Sequence, residues 1–155
     1  GSIPAPMNSF ILNLGLQTLH LRMAQHCSNA QRVAEFLQAD PRVAWVHYSG
    51  LPGDAYHELA KKYLPGGSCG VIAFGLKGDR ETAIRFMDSL DMINIVTHVA
   101  DARTCVLHPA SHTHRQLSDE QLREAGVAPD LIRLSVGIED CDDILDDIRQ
   151  ALDKI

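Results

Sequence analysis

The sequence predicts one α/β (α+β) domain in which a four- to five-stranded mixed or antiparallel sheet carries its helices on one face. Stretches with apolar residues at helical spacing alternate with short β-branched runs along the 155 residues. The composition, with 45% hydrophobic and 22% charged residues, is typical of a globular domain with a buried core. Since only one layer of helices is predicted, the second face of the sheet is expected to be solvated or to pack on something outside this chain.

The first half of the chain predicts two helices, a strand, a short helix and a second strand. Apolar residues at helical spacing predict two helices or one bent helix before Asp40-Pro41, with Thr18 as the candidate N-cap of the second segment. The β-branched run 43–47 predicts the first strand, and 56–63 predicts a short helix. The nearly continuous apolar run 69–76 predicts a second strand and is typical of a buried position.

The second half of the chain predicts three more strands and three more helices. A helix opens at Asp79, and two short apolar runs at 93–96 and 104–107 predict the third and fourth strands. Ser118-Asp119-Glu120-Gln121 has the spacing of a capping box and predicts a short helix. Residues 131–136 predict the fifth strand. A last helix begins near residue 140, with apolar residues at helical spacing on the face that is expected to be buried.

Possible metal ligands are assigned to structural roles. His108, His112 and His114 lie in a loop without the paired spacing of zinc ligands, so hydrogen-bonding roles are favoured there over a metal site. Aspartates cluster in the last helix without the pattern of a calcium loop, and a solvated helix face is favoured. These are Asp140, Asp142, Asp143, Asp146 and Asp147. The four cysteines form no C-x-x-C pair, which favours buried free thiols in a reducing cytoplasm.

The charge balance and hydropathy exclude some classes of partner. With 14 Lys and Arg against 20 Asp and Glu, neither nucleic acid nor an anionic membrane is expected as the main partner. No apolar run approaches the roughly 20 residues that span a bilayer. Residues 1–5 are interpreted as an expression scar and linker. This leaves 6–155 as one domain, which we expect to derive from a longer protein.

The predicted fifth strand places a basic side chain on a rigid support. Alternation along the strand puts Ile132 and Leu134 on one face and Arg133 on the other. A fixed guanidinium suits bidentate capture of a carboxylate or phosphate. The strand alone nevertheless favours a solvated arginine paired with a neighbouring acid, because exposed strand faces are normally polar. No Ser/His/Asp or Cys/His pair is placed to act as a nucleophile, so no catalytic residue is assigned.

Short motifs along nearly the whole chain resemble one enzyme family. They occur at 6–10, 15–19, 21–23, at His26 with 29–30, and at 50–52, 74–78, 101–104, 108–111, 113–114 and 116–117. The most specific is Ile132-Arg133-Leu134-Ser135-Val136-Gly137-Ile138-Glu139-Asp140. Together they resemble the C-terminal domain of the Cys/Met-metabolism enzymes that depend on pyridoxal phosphate (PLP), and within that family the O-acetylhomoserine sulfhydrylases.

The resemblance implies roles for three residues in the small domain of a fold-type I PLP enzyme. Arg133 would grip the α-carboxylate of the substrate, which reverses the preference drawn from the strand alone. His98 would lie where relatives carry an Asn or Ser that contacts the same carboxylate, and Thr113 would lie nearby. His98 itself, Ala100 in place of a usual glycine, and His112 in place of threonine or methionine depart from the family pattern, at loops that would face the active site.

The resemblance also implies a cofactor and partners. PLP and its Schiff-base lysine would belong to an upstream domain. None of Lys61, Lys62, Lys77 and Lys154 has the Ser-x-Thr-Lys context, so this chain alone is expected to be inactive and to bind no PLP covalently. An amino acid of the O-acetylhomoserine type and sulfide would be the substrates of a homotetramer. The alternatives are cystathionine synthesis, methionine γ-lysis, or a non-catalytic domain for assembly or amino-acid sensing.

Overall fold

Residues 2–155 are described by a computed structural model, in which they form six helices and five strands. The helices are α1 Pro6–Gln17, α2 Leu19–Ala39, α3 His57–Tyr63, α4 Arg80–Asp88, α5 Asp119–Glu124 and α6 Cys141–Leu152. The strands are β1 Val43–His47, β2 Val71–Leu76, β3 Asn94–Ile95, β4 Cys105–Leu107 and β5 Leu131–Ser135. Every predicted element is present, and β1 has the bounds that its β-branched run predicts.

The five strands form one mixed sheet in the order β1-β2-β5-β4-β3. The neighbours β1–β2, β2–β5 and β5–β4 are antiparallel, whereas β3 and β4 are parallel. β5 therefore lies in the middle of the sheet, although it comes last among the strands in the chain. The mixed five-stranded sheet confirms the predicted fold class.

The main hydrophobic core lies between one face of the sheet and three helices. Ile72, Phe74, Ile132 and Leu134 contribute the sheet side of the core. The helix side comes from α2, α4 and α6, whose buried residues belong to the same cluster. Burial of these apolar stripes is the main stabilising contribution to the fold. These three helices thus form the predicted layer on one face of the sheet, whereas Leu122 of α5 lies outside this cluster.

The opposite face of the sheet is partly covered by the chain itself. Leu107 in β4 is buried there, and the Trp45 indole donates a hydrogen bond to Asp130 Oδ2 at 3.0 Å. A Cβ at Gly75 would collide with both the Trp45 ring and the Asp130 carboxylate, so glycine is required at that point of β2. The segment between β4 and β5 therefore crosses the face that carries Arg133.

The N-terminal helix is formed as predicted but buries none of its residues. Thr18 separates α1 from α2 without a side-chain cap, although its Oγ1 accepts a hydrogen bond from Arg22 Nε at 3.4 Å. Further along α2, the apolar stripe becomes buried from His26 onwards. No helix of the described part is long and apolar enough to span a membrane.

The prediction of a fully solvated acidic face on α6 is wrong at Asp147. This carboxylate is buried and accepts the backbone N–H groups of Asp91 at 2.8 Å, Met92 at 3.1 Å and Ile93 at 2.8 Å. The other four aspartates of the cluster are exposed. Asp147 lies beside Ile148 at the edge of the buried stripe, where the loop before β3 offers amides that need an acceptor.

The prediction of buried thiols holds for two of the four cysteines. Cys105 and Cys141 are buried, whereas Cys27 and Cys69 are only half-buried. All four are free thiols. Burial raises the pKa of the Cys27, Cys105 and Cys141 thiols, which favours the neutral, unreactive form.

Candidate functional site

Arg133 occupies the centre of the sheet. It pairs with Ala73 of β2 on one side and with Leu107 of β4 on the other, so it lies on the face opposite the main core. The strand alternation predicts this placement, because Ile132 and Leu134 on either side of it are buried in that core. The guanidinium is therefore carried by the central strand of the sheet, which is hydrogen-bonded on both sides.

The guanidinium of Arg133 is held by backbone carbonyls and not by an acid. Nη2 donates to Thr97 O at 3.0 Å and to His98 O at 3.2 Å. No ion pair among residues 2–155 includes Arg133. Its Nε is buried and, within the same residues, has no hydrogen-bond partner. Arg133 is thus not paired with an acid in the described chain, and its positive charge is not neutralised by a side chain there.

The two anchoring carbonyls belong to the connection between β3 and β4, residues 96–104, which we call the arginine loop. Ala100 in this loop has a φ of 61°, a left-handed conformation that costs an alanine about 1–2 kcal/mol relative to the right-handed region. Its N–H donates to Ser135 Oγ of β5 at 3.1 Å, which holds it in that conformation. The usual glycine that the family resemblance implies here would adopt the same backbone without strain.

A carboxylate fixes the far end of the arginine loop. Glu139, just after β5, accepts the Thr104 N–H through Oε1 at 2.5 Å and the Thr104 hydroxyl through Oε2 at 2.8 Å. Thr104 Oγ1 in turn accepts the Gly137 N–H at 2.8 Å. Gly137 has no room for a side chain, because a Cβ would collide with Glu139 and with the loop backbone. Thr104 and Glu139 therefore join the loop to the extension of β5.

The other side of this extension is held by α2. His26 Nδ1 donates to Val136 O at 2.7 Å, and Asn29 Nδ2 donates to Gly137 O at 3.1 Å and Glu139 O at 2.9 Å. Both side chains are buried. They satisfy carbonyls of a segment that has left the sheet ladder and would otherwise lack partners. The segment that follows Arg133 is thus fixed from both sides.

His98 and Asp101 border a small cavity beside the arginine loop. The cavity has a volume of about 160 Å³ and is also lined by Arg103 and Thr104. His98 Nδ1 lies 3.5 Å from Asp101 Oδ2, and its side chain is 64% exposed. The backbone N–H of Arg103 holds the pKa of the Asp101 carboxyl below its usual range. The predicted residue His98 is therefore brought to Arg133 by its carbonyl, while its imidazole faces the cavity and solvent.

Thr113 lies in an exposed turn after β4. Its hydroxyl is hydrogen-bonded to His114 Nδ1 at 2.9 Å, and no hydrogen bond of the described chain joins it to Arg133. His108 in the same segment is buried between Ser111 and Pro129, and His112 Nδ1 donates to His108 O at 3.0 Å. Within residues 2–155, no three His, Cys, Asp or Glu side chains converge as metal ligands.

The lysines of the chain do not fit a Schiff base to PLP. All four are exposed. Lys61 pairs with Glu58, Lys62 lies over the Tyr63 ring, and Lys154 reaches the Ser89 carbonyl. None lies in the surroundings of Arg133 described above. The residues of this chain thus fit the binding of a carboxylate but not the covalent attachment of the cofactor.

Sequence reasoning did not identify the residues that support Arg133. They are His26, Asn29, Thr104, Ser135 and Glu139. All five, His26 and Asn29 included, belong to motifs that carry the family resemblance, but those motifs assign them no role. The available signal was the presence of polar residues in otherwise apolar buried segments, since such residues need specific partners.

Proteins with similar sequences and folds are known. Residues 1–153 match the family model described as Cys/Met metabolism PLP-dependent enzyme. The chain is 43% identical over 152 residues to O-acetyl-L-homoserine sulfhydrylase 1 of Thermus thermophilus. The aligned region covers 98% of this chain and 36% of that protein. It is 41% identical over 156 residues to an L-methionine gamma-lyase of Treponema denticola. That aligned region covers 100% of this chain and 38% of the lyase.

A solved structure has the same fold. It is that of a Campylobacter jejuni protein described as a candidate O-acetylhomoserine (thiol)-lyase with N'-pyridoxyl-lysine-5'-monophosphate. The TM-score is 0.91 at 40% identity, over 99% of this chain and 36% of that chain. The chain thus spans about a third of the length of the relatives that it matches.

Proposed function

The chain belongs to the Cys/Met metabolism family of PLP-dependent enzymes, and on that premise we propose that it is the substrate-binding domain of an O-acetylhomoserine sulfhydrylase. In this reaction sulfide displaces acetate from the γ-carbon of O-acetylhomoserine. A C–O bond breaks, a C–S bond forms, and homocysteine and acetate are released. The proposal is supported by two relatives of that name, each 43% identical to this chain.

One observation carries the assignment of this domain's role. Arg133 has a guanidinium that two carbonyls hold through Nη2, and no ion pair among residues 2–155 neutralises its charge. In this proposal Arg133 binds the α-carboxylate of the amino-acid substrate. A charge-assisted contact from a rigid strand orients the substrate as well as holding it.

His98 and Thr113 are auxiliary residues in this proposal. The His98 carbonyl holds Arg133 and the imidazole borders the cavity beside the arginine loop, and in this proposal the imidazole contacts the bound substrate. Thr113 is exposed next to His114 and would reach the substrate only when the rest of the enzyme closes over this face. Neither residue is required to anchor Arg133 through its side chain.

The cofactor and its lysine belong, in this proposal, to the part of the protein outside this chain. PLP supplies the electron sink on which the chemistry of this family depends. The exposed lysines described above support this division. It is also supported by the coverage, since the chain matches only about a third of the length of its relatives. The proposed full-length enzyme is a cytoplasmic homotetramer, and this chain alone has no activity.

The decisive experiment replaces Arg133 in the full-length enzyme. We expect Arg133→Ala to raise the KM for O-acetylhomoserine about 30- to 900-fold, because a lost charge-assisted contact is worth about 2–4 kcal/mol. Arg123→Ala is the control, since it removes the same charge from an exposed position on α5. Steady-state kinetics measure both variants. An unchanged KM and kcat in Arg133→Ala would refute the carboxylate assignment.

Methionine γ-lysis is the second candidate, because an L-methionine gamma-lyase is 41% identical to this chain over the whole of the 155 residues. The α-carboxylate is common to both substrates, so Arg133 would have the same role in either enzyme. The two reactions are separated by comparing homocysteine formation from O-acetylhomoserine and sulfide with thiol release from methionine. A kcat/KM that is higher for methionine would replace the sulfhydrylase with the lyase.

A further inference from the structure

The plane of the Arg133 guanidinium depends on a loop without regular secondary structure. Its two anchors, the carbonyls of Thr97 and His98, lie in the arginine loop. Two hydrogen bonds hold the middle of that loop. The Ala100 N–H donates to Ser135 Oγ, and Ala102 O accepts from the Ile138 N–H. A shift of the loop would therefore rotate or release the guanidinium.

Glu139 makes two of the contacts that hold this loop. Both of its carboxylate oxygens accept hydrogen bonds from one residue, Thr104. Two bonds to the same residue fix the orientation of Thr104 as well as its position. The Thr104 hydroxyl then accepts the Gly137 N–H, which closes a ring back to the extension of β5.

The carboxylate of Glu139 has no other partner in the part of the chain that the structure describes. No ion pair there includes it, and both oxygens are directed at Thr104. Its backbone carbonyl is held by Asn29 of α2. Glu139 thus links a helix of the core, the strand that carries Arg133, and the loop that orients the guanidinium.

We infer that Glu139, acting through Thr104, is a positioning residue that sets the arginine loop so that Arg133 presents its guanidinium to the substrate carboxylate. This inference rests on the proposed function of Arg133. Geometry and not charge is what matters in this role. A glutamine at 139 could still accept the Thr104 N–H through Oε1 and donate to the Thr104 hydroxyl, whereas an alanine could do neither.

The test uses two matched pairs of variants in the full-length enzyme. Glu139→Ala removes both hydrogen bonds of the link and Thr104→Val removes those of the hydroxyl, whereas Glu139→Gln and Thr104→Ser retain the hydrogen-bonding groups. We expect the first two to raise the KM for O-acetylhomoserine about tenfold, because small displacements of a positioning contact are costly. We expect the retaining variants to stay within about threefold of the parent. The KM for sulfide, which has no carboxylate, should not change.

Arg133→Ala is assayed alongside, and crystal structures of Glu139→Ala and Glu139→Gln locate the guanidinium. If Arg133→Ala raises the amino-acid KM and Glu139→Ala does not, the positioning role is refuted while the proposed function stands. A Glu139→Ala variant that only unfolds at lower temperature, or that raises both KM values equally, also refutes it. If Arg133→Ala has no effect, the proposed function fails. In that event the crystal structures still test the positioning role. An Arg133 guanidinium displaced in Glu139→Ala but not in Glu139→Gln supports that role, and a guanidinium that is not displaced in Glu139→Ala overturns it.

Discussion

His108 is the buried ring around which the segment between β4 and β5 is arranged. It is 0% exposed, its Nε2–H donates to Pro129 O at 2.8 Å, and its Nδ1 accepts the Ser111 hydroxyl at 2.8 Å. These partners hold the neutral ring. Desolvation is the main cause that lowers the pKa of His108, and the Pro129 carbonyl only partly opposes it. A histidine that looks like a metal ligand in the sequence is thus a structural residue.

The lowered pKa of His108 makes a prediction about acid stability. As the pH falls below about 6.5, the unfolded chain takes up the proton first. The free energy of unfolding therefore decreases from that pH down to the folded-state pKa, by at most about 1.4 kcal/mol per pH unit. Urea unfolding at pH 7.5 and 5.5 should show a smaller loss in His108→Gln than in the parent. His20→Gln, at an exposed position, should lose as much as the parent. Equal losses in all three proteins would contradict the prediction.

Arg133 and Glu139 show how far the site could be predicted from single residues. Alternation along β5 places Arg133 on the face opposite the core. What it cannot predict is the absence of an acidic partner, because that depends on a loop 35 residues earlier in the chain. The role of Glu139 depends on the same distant loop. The resemblance to a family predicts a carboxylate-binding role for Arg133, but it offers no reason for the residues behind it.

The regular elements were predictable wherever a local signal marks their ends. Asp79 caps α4 by accepting the Thr82 N–H, and Ser118 with Gln121 forms the complete capping box of α5. These contacts lie within a few residues of one another and can be seen in the sequence. The strand order was not predictable in this way. It places β5 between β2 and β4, and such pairings between distant segments have no local signature.

Asp147 couples α6 to the loop before β3, and this makes a prediction about stability. Asp147→Asn replaces one acceptor oxygen by an amide that faces backbone N–H groups, so we expect the free energy of unfolding to fall by about 2–3 kcal/mol. Equilibrium urea unfolding measures this loss.

The neighbouring residue offers a matched control. Asp146 is exposed and pairs with Arg149 on the same helix, so Asp146→Asn should change the free energy of unfolding by less than about 0.5 kcal/mol. A loss of the same size at both positions would show that helix charge, and not the three backbone hydrogen bonds, is responsible. Because β3 leads into the arginine loop, the Asp147 contact also fixes the edge of the sheet beside the candidate site.

The whole molecule is unevenly buried, and α1 is the element that the fold leaves uncovered. Phe10 is 60% exposed, Ile11 58% and Leu12 65%, and α1 carries no charged residue. An open apolar hollow of about 430 Å³ lies where α1 meets α2. A 12-residue helix with no buried residue is marginal in water. Such a surface indicates a macromolecular contact, and we expect its partner to be the remaining two-thirds of the proposed full-length enzyme.

The same substitution should therefore have different effects in two lengths of the protein. In the 155-residue chain, Phe10→Asp should change the free energy of unfolding by less than about 0.5 kcal/mol, because the ring contacts little. In the full-length enzyme it should lower the Tm by several degrees, since a charge would be buried in the contact. Thermal and urea unfolding measure the two proteins, and Asn13→Asp adds the same charge to the same helix as a control. If the full-length enzyme tolerates Phe10→Asp as well as the short chain does, α1 is not covered by the rest of the enzyme. Equal destabilisation at both lengths would mean that α1 is held within this domain instead.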